Sequence, residues 1–158
     1  MVVLSLGHGP PAAIAMASRA IREPCGDGIF SDTSRRGTVD PGSSRTVRRS
    51  RRVEVDIGRL FPGGAPPSAA RAADRVTLNL FPDVCVTARR EEARDLAPDK
   101  VQWIGRVEGV PNGTVILVID DSLMVGTVTI DRRVFRISYV GDGVHAIADI
   151  DQSAFPRD

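Results

Sequence analysis

Few residues of this 158-residue chain are of a type and at a spacing that could do chemistry. Histidine occurs twice, as His8 and His145, and His145 is followed four positions on by Asp149. In an extended strand that spacing puts both side chains on one face. An imidazole and a carboxylate so placed could contribute to a zinc or calcium site, but a closed site needs more ligands than the chain supplies nearby. His145 therefore reads as a strand histidine. Cys25 and Cys85 lie sixty residues apart, with no His or Cys neighbour at metal-ligand spacing. They allow one disulfide in an exported protein, or equally a buried Cys85 beside a free Cys25. A nucleophilic pair of Cys85 with His145 has no local signature behind it. Asp120 and Asp121 are adjacent, but they fall where a hairpin turn is expected, and Asp is common there because it bonds the local backbone. The loops Gly141-Asp142-Gly143 and Pro111-Asn112-Gly113 carry neither a GxGxxG pattern nor a Lys followed by Ser or Thr, so no phosphate cradle is implied. These residues point to no enzyme, no metal and no cofactor.

What positions them is a run of short strands. Val101 to Ile150 reads as five apolar runs broken about every ten positions by turn residues, the signature of an antiparallel meander. VQWIGRV places Val101, Trp103, Gly105 and Val107 on one face, and Gly105 either admits close packing of the single Trp or marks a bulge. TVILVID is apolar on both faces, with Val115, Leu117 and Ile119 one way and Ile116 and Val118 the other. Such a strand predicts a second layer covering it. Trp103, Leu117, Ile119, Phe135, Ile137 and Leu80 are the expected core.

Upstream, SRRVEVDI alternates Val53, Val55 and Ile57 against Glu54 and Asp56 and reads as a first strand. RVTLNLFPDVCVTARR, Arg75 to Arg90, reads as one long strand bent at Pro82, in which Leu80 or Phe81 plugs an end of the core. Glu91 to Lys100 is a charged loop. Residues 1–45 are rich in Gly, Ser and Pro and read as a largely disordered basic tail, with a short helix available at 12–22. The fold expected is mostly β, an antiparallel meander forming a small sandwich or roll of seven or eight strands over residues 46–152, followed by a linker stub at 153–158.

Composition agrees with a turn-rich β protein: 15 Gly and 11 Pro, and only 4% aromatic residues. The net charge of +1 hides an asymmetry, because residues 19–59 carry ten Arg against six acidic groups and residues 76–158 carry nine basic against thirteen acidic. A basic tail beside an acidic domain lets the two halves touch each other or lets the tail meet an acidic partner. TVRRSRR at Thr46–Arg52 has no aromatic interleaving, which argues against nucleic acid. No run of ~18 apolar residues predicts a membrane span. The start of the chain makes a poor secretory signal, having no basic residue ahead of an apolar region that Gly7 to Pro11 interrupts.

Four segments taken together carry a resemblance: VTLNLFPDV (Val76–Val84), WIGRVEGVPNGTVILVIDD (Trp103–Asp121), GTVTIDRRVFRISYVGDGVHAIADID (Gly126–Asp151) and AFP (Ala154–Pro156). With the strand RRVEVDI they resemble, over about half the chain, the amino-terminal pro-region of bacterial secreted reprolysin-like zinc metallopeptidases. The resemblance implies a secreted or cell-envelope protein that binds a metallopeptidase catalytic domain, in cis or in trans, as folding assistant or latency domain. Chemistry in that family belongs to an HExxHxxGxxH helix, and this sequence has no HExxH. The catalytic domain follows the pro-region in the family, so His145, Asp149, Asp151, Phe155 and Pro156 would face the partner. Cys85 and Cys25 are the candidates for a zinc-blocking thiolate. The alternative is an extracellular β-sandwich module that binds protein or carbohydrate and has no protease partner.

Overall fold

Apolar residues at every second position give each strand one inward face, and short turns containing Asp join neighbours edge to edge. The computed structural model describes residues 25–39, 44–64 and 66–155. They form one sheet of nine strands: β1 (Phe30–Asp32), β2 (Val47–Val55), β3 (Arg75–Phe81), β4 (Val84–Ala97), β5 (Lys100–Val107), β6 (Thr114–Asp120), β7 (Leu123–Ile130), β8 (Arg133–Gly141) and β9 (Val144–Ile150). The spatial order is β1-β2-β9-β8-β7-β6-β5-β4-β3, so β3 to β9 run as a continuous meander and β2 returns to the far side of β9.

The two outermost strands of that order meet. The Ile29 N–H donates to the Thr77 carbonyl at 3.1 Å, and the Asn79 side chain bonds both the amide and the carbonyl of Phe30. The sheet is thus a nearly closed antiparallel barrel of nine strands, which corrects the expected sandwich or roll. Alternation demands one buried face per strand, and a sheet wrapped on itself satisfies that as well as two sheets stacked. Only the neighbours of β1 and β3 decide, and those are long-range contacts.

Beyond the three residues of β1 the seam between β2 and β3 has no strand in it among the described residues. There Arg51 Nη1 donates to the carbonyls of Asn79 (3.1 Å) and Leu80 (3.3 Å). Strands in a sheet lie ~4.8 Å apart, so a side chain that crosses from β2 to β3 covers the width that one more strand would fill.

Inside, Leu80, Trp103, Leu117, Ile119, Phe135 and Ile137 are all buried, as the alternation predicts. Trp103 is fully buried among them, its Nε1–H donating to the Ala73 carbonyl at 2.9 Å. Both readings of Gly105 hold: a Cβ there would stand 2.4 Å from the Trp103 ring, and the β4–β5 pairing shifts register between Arg90, the partner of Gly105, and Glu92.

Several local expectations differ. Pro82 and Asp83 form a turn between two paired strands, not a bend in one, because Phe81 pairs Val84 directly. Strand β4 runs on through Glu91 to Ala97, where a charged loop is expected; Glu91, Arg94 and Asp95 are exposed, Leu96 is exposed as well, and only Ala93 packs on the core, so no apolar alternation marks the strand. Phe30–Asp32, in the expected tail, is strand β1 of the barrel, and the strand read from SRRVEVDI is β2, which begins at Val47. No second layer covers β6 among the described residues, and Ile116 is 44% exposed. The expected helix at 12–22, His8 and Pro156 lie outside the described residues.

Candidate functional site

Three regions combine chemistry with position: the polar groups aimed into the barrel from β9, the disulfide, and the outward wall of β5 to β7.

On β9 the alternation that turns Ile147 inward also turns His145 and Asp149 inward, and both are buried. Expected to face a partner, they instead point into the barrel, about 13 Å apart along the strand at its ordinary rise, too far to share a ligand. His145 Nε2 accepts the Met124 N–H at 3.0 Å, which makes the ring the neutral Nδ1–H tautomer. Its edge meets the Tyr139 ring at 5.3 Å between centroids. Burial pushes its pKa down, and the Gly143 main chain offsets only part of that.

Asp149 Oδ2 accepts from Arg133 Nη2 at 2.7 Å and from Arg49 Nε at 3.4 Å. Arg49 also forks onto Asp83 at 2.7 and 3.0 Å, which holds the Asp83 carboxyl below its usual range. The two guanidinium groups stack on aromatic rings, Arg49 over Phe81 at 4.1 Å and Arg133 over Phe135 at 4.9 Å, and those rings lie 6.1 Å apart. This closes one end of the barrel with a layer that is apolar below and ionic above. The Asp149 carboxylate is committed to two cations and serves the architecture. Among the described residues no group of three or more His, Cys, Asp and Glu is placed to hold a metal ion.

Asp151 caps the turn at Gln152–Ala154. Its side chain accepts from the Ser153 amide and hydroxyl and from Arg48, and these bonds, Ser153 first, lower its pKa to about 2. Phe155, just beyond, is 48% exposed. Of the residues expected to face a partner, these two lie at the surface.

Cys25 and Cys85 are bonded to each other, with Cα atoms 5.5 Å apart. In this state neither sulfur is a thiolate that could block a zinc ion. The bond anchors the chain just ahead of Ile29 and Phe30, so it reinforces the β1–β3 closure.

The third region lies where the sequence predicts a second layer. Outward positions of β5, β6 and β7 bring Ile104 beside Ile116, Val118 beside Val125, and Leu123 beside Asp120. Ile116, Val125 and Leu123 are exposed. Once Val115, Leu117 and Ile119 face inward, Ile116 and Val118 must face out, and no second layer covers them among the described residues. Searches with this chain against protein-family models, curated proteins and solved structures return no match.

Proposed function

We propose that this chain is a non-catalytic β-barrel module that binds another protein through the outward wall of β5, β6 and β7. The observation that carries this reading is the cluster of exposed branched aliphatic side chains at Ile116, Val125 and Leu123, with Ile104 and Val118 beside them. Exposed apolar residues gathered in one patch mark interaction surfaces more often than the same residues scattered singly. Aliphatic packing of this kind suits a protein surface. Sugar rings are held chiefly by flat aromatic platforms, and this wall has none. The Cys25–Cys85 bond supports a setting outside the reducing cytosol. The resemblance to metallopeptidase pro-regions names a first partner to try, a reprolysin-like catalytic domain.

The test is site-specific photo-crosslinking in the producing cell. A crosslinking amino acid at Ile116 or Val125 should yield one discrete protein adduct, which a charge introduced by Val118→Lys removes. The same group at the outward position Arg136 on β8 should yield none. Equal adducts at all positions, or none anywhere, would end the reading. Mixing the chain with a matching catalytic domain at roughly micromolar concentration decides the protease partner separately: no complex and no change in peptide hydrolysis removes it.

A further inference from the structure

Arg75, Arg89 and Arg106 stand directly opposite one another on β3, β4 and β5. Three cations thus sit in a row across ~10 Å of sheet, and like charges facing each other across a ladder oppose the pairing. Two glutamates relieve the ends of the row: Glu108 takes Arg75 at 2.6 Å and Glu91 takes Arg106 at 2.8 Å. Arg89, in the middle, is exposed and has no hydrogen bond, ion pair or ring contact among the described residues. The surrounding charges do not balance. Arg75, Arg89, Arg90 and Arg106 face Asp74, Glu91 and Glu108, four positive against three negative, and the uncompensated cation is Arg89.

Beside this row lies an open groove of about 470 Å³ lined by Arg89, Arg106, Glu108, which is already paired with Arg75, and the exposed Pro111 of the β5–β6 connection, with the buried Val107 and Val110 behind them. A ligand lying here meets a guanidinium fork and the apolar ring of Pro111. We propose that the groove takes an acidic, aliphatic peptide segment: a carboxylate accepts the two-pronged donation of Arg89, and the adjacent aliphatic side chain packs on the exposed ring of Pro111. Planar donors in a fork match a carboxylate in geometry as well as charge. The carboxylate also supplies the anion that the arginine row lacks. The groove is short and bounded by a single loop, so it accommodates one or two side chains of an extended segment in place of a long acyl chain. This site is separate from the aliphatic wall and would stand if the wall had no partner.

The experiment is fluorescence anisotropy with the full chain and a labelled peptide Ser-Glu-Leu-Glu-Leu-Ser. Binding should be saturable, weaken with salt, and fall about tenfold when the glutamates are replaced by glutamine. Arg89→Ala should lose a similar factor, and Arg89→Lys should fall between, because an ammonium keeps the charge without the fork. Arg136→Ala should bind as the parent does. Arg89→Ala should melt no lower than the parent, since it removes repulsion between facing cations, so lost binding will not reflect lost folding. The Ile116→Ser, Val125→Ser double variant should bind the peptide normally, which separates this site from the wall. Equal affinity for the parent and Arg89→Ala, loss of binding in the wall variant, or stronger competition by decanoate than by the peptide would each overturn the proposal. So would the lack of saturable binding.

Discussion

The Asn79 carboxamide takes the place of a strand partner for Phe30, accepting its N–H at 2.9 Å and donating to its carbonyl at 2.7 Å. β1 is only three residues long, so these two bonds, with Ile29 to Thr77, are most of what holds the barrel shut along that seam. Asn79→Ala should cost about 2 to 3 kcal/mol, two net hydrogen bonds plus the desolvated groups left behind. Asn79→Asp should cost less than Ala because it can still accept from Phe30 N–H. Urea midpoints and amide exchange at Phe30 measure both, and unchanged exchange in the alanine variant would show that the seam is held elsewhere.

The Cys25–Cys85 bond fixes the chain just before that seam and closes a loop of sixty residues. Cross-linking over such a length stabilises mainly by restricting the unfolded chain, typically by about 2 to 4 kcal/mol. Reduction, or the double Cys→Ser variant, should lower the urea midpoint by a corresponding amount and raise exchange first at Ile29 and Phe30. Uniform loosening of every strand would assign the bond a different role.

How much of this was legible follows from where each signal lives. Strands β5 to β9 were readable because each pairs with its predecessor across one hairpin, and turns between them carry their own residues, such as Asp121, Asp131 and Asp142, all at positive φ. β4 beyond Arg90 was not readable, since Glu91, Arg94 and Asp95 face water and the strand continues only because β5 pairs with it. Closure was illegible for the same reason on a larger scale: Phe30 and Asn79 are forty-nine residues apart, and neither residue type announces the other. The pairing of His145 and Asp149 on one face was legible, but not which face, because period-two alternation places residues together without saying whether water is on their side.

His145 gives the barrel a pH dependence whose sign is fixed. Burial holds its folded-state pKa below the ordinary 6.5, so the unfolded chain takes up the proton first as pH falls. The stability that His145 contributes is complete above about 6.5 and is lost as pH drops from there toward the depressed folded value. Protonation of Nε2 would also remove the acceptor for Met124 N–H. Thermal melts at pH 7.5, 6 and 5 should show a falling midpoint in the parent. His145→Leu should be less stable at pH 7.5 but flatter across that interval. Parallel slopes would assign the acid sensitivity to another group.

Asp149 is nearly inaccessible, whereas Arg49 and Arg133 each keep about a third of their side chains in water. Removing the buried partner should therefore hurt more than removing either exposed one. Asp149→Ala should cost about 2 to 3 kcal/mol, less than a fully buried pair because both guanidinium groups can rehydrate. Arg133→Ala should cost less, since Arg49 remains within reach of the carboxylate at 3.4 Å. The reverse order in denaturant titrations would show that stacking of Arg133 on Phe135 outweighs the ion pair.

Gly105 and Trp103 are coupled by contact, which a double-mutant cycle can read. A methyl group at Gly105 would stand 2.4 Å from the indole ring and 2.6 Å from the Arg89 carbonyl, and the neighbours have little room to move because Trp103 is fully buried and its Nε1–H is tied to Ala73. Gly105→Ala should thus cost about 1 to 3 kcal/mol as overpacking, against the usual gain expected from replacing a mid-strand glycine. Trp103→Leu alone should also destabilise, by leaving a cavity and an unpaired Ala73 carbonyl. In the double variant the new methyl group occupies space the indole has vacated, so the combined loss should fall short of the sum by about 0.5 to 3 kcal/mol, the range found for residues in contact. The Arg89 carbonyl stays in place and keeps the relief incomplete. Strict additivity in urea unfolding would mean that the backbone contact, not the indole, is what requires glycine at this position.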